Sequence, residues 1–183
     1  MPLYEFEGQR PAIHPDAFVH PMAVLIGDVR IGEGCYVGAG AVLRGDIGSV
    51  IVGQGSNIQE NCVLHTFPDK NMTLHHDTHV GHGAILHGCE IFPDVLIGMG
   101  ATVADGVVIH PCCLVGACSF VPFGLEVPSN SVIAGVPARV VKSLSPGQLE
   151  TIRSSREIYR KLAIRYLKSF REVPVSRATI DTE

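Results

Sequence analysis

Ile13-His14-Pro15-Asp16-Ala17-Phe18-Val19-His20-Pro21-Met22-Ala23-Val24-Leu25-Ile26-Gly27-Asp28-Val29-Arg30-Ile31 is the stretch that decides the fold of this chain. It carries an aliphatic residue at every sixth position, Ile13, Val19, Leu25 and Ile31, and a smaller one four residues after each of the first three, Ala17, Ala23 and Val29. The step of six continues outward through Val37 and Leu43 and, after a three-residue insertion, through Val52, Ile58 and Leu64. A longer insertion follows, then Val80 and Leu86, one five-residue step to Ile91, and Ile97, Val103, Ile109, Val115, Val121, Val127 and Ile133. A period of six fits neither a helix nor one long strand. It fits short strands joined by tight turns into a solenoid whose coils take three faces and 18 residues each.

Composition agrees. The 183 residues include 20 Gly, 12 Pro and no Trp, yet 46% are hydrophobic. A narrow core of stacked Val, Ile, Ala and Cys has little room for large rings, and sharp corners favour glycine. The chain is therefore read as an all-β solenoid, a parallel β-helix of hexapeptide repeats with a C-terminal α-helix. Residues 1–12 form an N-terminal cap, 13–144 about seven coils, 145–173 the helix and 174–183 a tail, in one domain. Ser145-Pro146-Gly147-Gln148 supplies the helix start, and Leu149, Ile152, Tyr159, Leu162, Ala163, Tyr166, Leu167 and Phe170 an apolar stripe that packs on the solenoid or a neighbouring chain. Pro174 ends it.

Net charge is −4, which offers no broad positive field for nucleic acid or an anionic membrane. No secretory signal or run of transmembrane length is readable, so the expected location is cytoplasmic. The six cysteines lack Cys-x-x-Cys spacing. Cys35, Cys62 and Cys113 fall in the small inward slot and are read as packing residues. Gly32-x-Gly34 and Gly38-x-Gly40 recur with the solenoid period and precede no helix, which excludes a phosphate loop.

Nine histidines are many for this length, and five lie between His75 and His87. Leu64 and Leu86 stand one coil apart on one face, the interval of 22 being 18 plus a four-residue excess absorbed between Phe67 and Thr78. His65 and His87 each follow their anchor, so their imidazoles stack and can converge on a metal. Arg44 and Asp46 occupy the same column one coil earlier. His82 follows Val80 on the preceding face, around a corner. If three chains pack about a threefold axis, His82 of one reaches the His65 and His87 column of its neighbour, completing a three-nitrogen site with an open fourth position.

Arg44-Gly45-Asp46, Asn57-Ile58-Gln59-Glu60-Asn61, His65, Gly81-His82-Gly83-Ala84-Ile85-Leu86-His87-Gly88-Cys89 and Ile97-Gly98-Met99-Gly100-Ala101 together resemble the γ-class carbonic anhydrase family. The opening Leu3-Tyr4-Glu5-Phe6-Glu7-Gly8 and Ile13-His14-Pro15-Asp16-Ala17-Phe18-Val19-His20 resemble its branch associated with phenylacetate degradation and the carnitine operon. The resemblance implies that the parallel β-helix is left-handed and forms a homotrimer with Zn2+ between subunits, bound by His65 and His87 of one and His82 of the next, although Fe2+ or Co2+ suits the same donors. It implies that Gln59 lies beside the zinc-bound water, that Arg44, Asp46 and Glu60 make charged contacts around the site, and that Tyr159 approaches it from the terminal helix. The family's best-known members carry a proton-shuttling glutamate in the loop before the second ligand. Thr66 to His79 holds no Glu, which leaves His75, His76 or His79 as shuttle. These three histidines are also what an exposed polar loop carries, and Tyr159 also suits plain helix packing. Three functions follow as expectations: zinc-bound hydroxide attacking CO2 to give bicarbonate; hydrolysis of an acyl-CoA thioester at the same site in aromatic-acid or carnitine metabolism; and a non-catalytic trimeric assembly protein. Gly135-Val136-Pro137-Ala138-Arg139 marks the solenoid exit and also resembles the end of hexapeptide acyltransferases, where acyl-CoA binds.

Overall fold

A computed structural model of the protein describes residues 2–174, so residues 175–183 of the expected tail lie outside the described residues. The hexads become short parallel strands, mostly of two or three residues, stacked into three columns. Val19, Val37, Ile58, Val80, Ile97, Val115 and Ile133 pair in sequence up the first face. Leu25, Leu43, Leu64, Leu86, Val103 and Val121 form the second. Ile13, Ile31, Val52, Leu74, Ile91, Ile109 and Val127 form the third. This is a parallel β-solenoid of about seven turns, the three-faced hexapeptide coil expected from the spacing, and it matches the left-handed β-helix that the resemblance implies. Every column residue from Leu25 to Ile133 is buried, and so are the small-slot residues Ala17 to Ser119.

Leu74 is an anchor that the spacing alone did not reveal. Leu64 to Leu74 spans ten residues, so the excess over one hexad sits in the turn after His65, where Thr66 Oγ1 donates to the Lys70 carbonyl (3.1 Å), and the regular step resumes at Leu74. His79 is therefore on a strand, His79–Val80, and not in a loop. The five-residue step to Ile91 places Cys89 in the small slot, where it is buried like Cys35, Cys62 and Cys113. Burial pushes the Cys35 and Cys62 thiols up to about 11, as expected of inert packing residues.

Both ends depart from the expected boundaries. Leu3 and Tyr4 pair in parallel with Leu25 and Ile26, so the segment read as a cap already belongs to the first coil. At the other end Ala138–Ser143 runs antiparallel to Ser131–Gly135. The solenoid proper thus ends at Gly135 and not at residue 144, because the return strand covers the last open edge of that face. Helix α1, Pro146–Ser169, starts where expected: Ser145 caps it, Gln148 N donating to Ser145 Oγ and Ser145 N to Gln148 Oε1, both at 3.2 Å. It stops at Ser169, four residues short of the expected 173, since Phe170 is already extended. The apolar stripe packs on the first face. Ile152 is buried with Val132 and Leu144, and Ala163 with Phe18 and Tyr36. Among the described residues no helix is long and apolar enough to cross a membrane.

Candidate functional site

The six-residue step turns out to be a device for stacking unlike side chains at fixed height, and the site residues use it twice. On the second face His87 stands directly above His65, with Arg44 in the same column below, and the two rings meet edge to face with centroids 5.0 Å apart. His65 Nδ1 and His87 Nε2 face each other at 3.0 Å. Each ring's other nitrogen is held by a carboxylate: His65 Nε2–H donates to Asp46 Oδ1 (3.0 Å), and His87 Nδ1–H to Asp105. A neutral imidazole has one N–H. When those protons sit on the Asp46 and Asp105 sides, the two facing nitrogens present lone pairs that a cation can take up. Carboxylates in this outer role fix tautomer and ring orientation for metal binding.

Arg44 completes the group, donating to Asp46 Oδ2 (2.7 Å) and to His65 Nδ1 (3.2 Å). Burial pushes the Asp46 carboxyl up, but the bonds from Arg44 and His65 outweigh it and hold it below the usual range. Burial lowers the His65 imidazole, with the Asp46 bond opposing and the Arg44 charge reinforcing it, a shift in the direction of the neutral ring that a metal requires.

Asp105 is the residue that sequence reasoning missed. It lies 18 residues, one coil, beyond His87, so the repeat arithmetic held the signal. Gly88, at φ +50°, keeps the path open, for a Cβ there would collide with the Asp105 carboxylate.

The second group lies around the corner on the first face. A groove of about 450 Å³ runs between helix α1 and the column of Gly81, Gly98 and Gly116; Gln59, His79, His82, Ser155 and Tyr159 are its polar lining. His82 Nδ1 contacts Glu60 Oε2 at 2.7 Å, and Tyr36 Oη donates to Glu60 Oε1 at 2.9 Å. Thus each of the three expected ligands carries its own carboxylate. Within the chain Glu60 is taken by His82 and Tyr36, while Arg44 is taken by Asp46. Tyr159 reaches the groove and packs on Tyr36 and edge-on to His79, centroids 5.3 and 5.5 Å away. Burial, then the Glu60 charge, raises its phenol.

The shuttle candidates separate. His75 stacks on Phe92 (4.4 Å) and bonds Glu90 (2.8 Å), and His76 bonds Asp77 (3.0 Å); neither lines the groove. His79 is only 7% exposed, and burial, with His82 and Arg156 nearby, depresses its imidazole to about 4. A buried neutral ring cannot pick up protons near pH 7 as an exposed loop residue would, so the loop reading of His79 is corrected. The structure brings His65 and His87 together and keeps His82 apart. Among the described residues no three His, Cys, Asp or Glu side chains of one chain gather around a point that could hold a metal.

A three-faced parallel solenoid with stacked histidines at its corner and a helix along one face defines a hexapeptide-repeat β-helix protein. Residues 10–45 match the model of the bacterial transferase hexapeptide (six repeats) family. The chain is 46% identical over 165 residues, 90% of it and 83% of the relative, to the carnitine operon protein CaiE of Salmonella agona. It belongs to the hexapeptide transferase family, alongside the CaiE proteins, which bears out the carnitine-operon part of the expected branch. Two crystal structures share the fold along nearly their whole length. A candidate acetyltransferase of Bacillus cereus matches with a TM-score of 0.89 at 34% identity, covering 90% of this chain and 96% of that one. A hexapeptide transferase family protein of Anaplasma phagocytophilum matches with 0.87 at 33%, covering 90% and 98%.

Proposed function

We propose that the protein is a homotrimeric, metal-dependent enzyme that hydrates CO2 to bicarbonate, with His65 and His87 of one subunit and His82 of the next holding a divalent cation. The observation that carries this reading is the pair of facing ring nitrogens of His65 and His87, each ring buttressed by its own carboxylate, with His82 buttressed likewise by Glu60 on the adjoining face. Zinc, iron or cobalt in that donor set supplies Lewis acidity and lowers the pKa of a water toward neutrality.

The chain's own residues do the rest. Asp46, Asp105 and Glu60 lock the ring tautomers. Gln59, on the groove wall, orients the reacting water through its side-chain amide, and Arg44 offsets the charge of Asp46 beside the site. The released proton passes to solvent, because His75 and His76 are engaged with Glu90 and Asp77 away from the groove. Association of three chains is supported by the aliphatic column beside the histidines: Val63 and Ile85 are 38% and 45% exposed on the same strands as His65 and His87.

A second reading keeps the site and changes the electrophile to an acyl-CoA thioester. It is favoured by the groove's apolar wall of Leu96, Ile97, Leu114, Val115 and Ile158, which suits an acyl chain better than CO2, and by the kinship with carnitine operon proteins. CO2 hydration and acyl-CoA hydrolysis assayed side by side on one metal-loaded preparation separate the two. The expected result is CO2 hydration that is lost, with the bound metal, in His87→Ala; in Asp105→Asn metal affinity falls about 10- to 100-fold. Turnover of thioesters alone would sink the first reading. A metal-free wild-type trimer inactive in both assays would leave the third expectation, an assembly protein.

A further inference from the structure

His79, Asn57 and Gln59 form a closed triangle of side chains in the groove wall. Gln59 Nε2 donates to Asn57 Oδ1 (3.1 Å) and faces His79 Nε2 (2.8 Å), while Asn57 Nδ2 faces His79 Nδ1 (3.3 Å). All three side chains are buried. Heavy-atom positions leave amide flips and the tautomer open, but donor counting restricts them. If the Gln59 amino group turns inward, satisfying all three edges requires both imidazole nitrogens to accept. If the Gln59 carbonyl turns inward, both must donate, which demands an imidazolium. A neutral imidazole has one donor and one acceptor, so one edge stays unbonded.

The groups facing His79 from the surrounding elements are His82, Tyr159 and Arg156, none of them an anion that would favour the imidazolium. With the Gln59 amino group already donating to Asn57 Oδ1, the unbonded edge is the longest, between Asn57 and His79, and at the short edge His79 Nε2 accepts from that same amino group. Gln59 Oε1 makes no hydrogen bond to another described residue, and among those residues no sealed side-chain oxygen or nitrogen lacks a partner. That oxygen is therefore open to the groove.

We propose that His79 is a positioning residue, and not a proton carrier: it accepts from the Gln59 amino group, holding the Gln59 carbonyl oxygen outward as a fixed acceptor for the reacting water. The role rests on the metal-enzyme reading above, since it is there that Gln59 meets the water; the geometry of the triangle does not.

The test uses the full-length, metal-loaded protein with His79→Phe, which keeps a flat ring without nitrogen, and His79→Asn, which is smaller and cannot overpack. In the 15N-labelled wild type the Gln59 side-chain NH2 gives two sharp, exchange-protected resonances, assigned by their disappearance in Gln59→Ala. In both His79 variants that protection is expected to fall tenfold or more, with metal content and subunit assembly unchanged. This readout needs no turnover, so it succeeds or fails independently of the CO2 reading. In the hydration assay kcat is expected to fall about 10- to 100-fold with KM held, and adding His79→Phe to Gln59→Ala is expected to cost nothing further, because the two act as one unit. Unchanged Gln59 protection in both His79 variants overturns the proposal. So do losses that multiply in the double variant, or recovery of His79→Phe activity in imidazole buffer, either of which makes His79 an independent proton carrier.

Discussion

At the scale of single residues, the protein assigns different work to side chains of one type by changing what lies 18 to 22 residues away. His65, His82 and His87 each meet a carboxylate, Asp46, Glu60 and Asp105. His79 meets two amides. The carboxylates each hold one ring nitrogen and, in His65 and His87, turn the other toward the neighbouring ring; burial among amides favours the neutral form of His79. That difference has a thermodynamic consequence. With its folded pKa depressed from 6.5 to about 4, His79 binds its proton more readily in the unfolded chain. Its contribution to stability is therefore fully present above about pH 6.5 and is lost as pH falls toward 4, by at most about 3 kcal/mol. Urea unfolding of metal-free protein at pH 7.5 and pH 4.5 is expected to show a smaller acid loss in His79→Phe than in wild type. Equal losses would place the titration elsewhere.

Among the elements, helix α1 shapes the groove by closing its outer side. Its N-cap box is local and exposed, while its grip on the solenoid comes from Ile152, Ala163 and Arg156, which pairs with Asp94 and, at 3.3 Å, with Asp77. Removing the cap with Ser145→Ala is expected to cost about 1 kcal/mol, read as a lower midpoint in thermal unfolding, with metal content untouched because no expected ligand lies on the helix. The cap and the stripe were readable from Ser145, Gln148 and the spacing of apolar residues, since both are rules of local geometry. The antiparallel return strand Ala138–Ser143 was not, because Val140 and Val141, lying outside the hexad rhythm, are exposed residues of an edge strand and carry no inward signal.

For the whole molecule, one chain holds two half-sites on adjoining faces, and the assembly is expected to join them. Ile85→Lys puts a charge on the exposed aliphatic column beside His87. It is expected to give a smaller species in sedimentation velocity and to lose most bound metal even though His65, His82 and His87 all remain. A monomer that keeps its metal would show that the three histidines need no neighbour.

The repeat arithmetic determined the solenoid, its inward residues and the stacking of His65 under His87, because a six-residue step translates directly into height and face. Leu74 and Cys89 escaped it where the step slipped, at the turn after His65 and at the five-residue interval before Ile91. Only the tertiary structure decided that Asp105 holds His87, that Glu60 holds His82 and that His79 is buried against Gln59. Those pairings depend on which rotamers reach across coils and on how deeply helix α1 covers the first face, and neither quantity is periodic in the sequence.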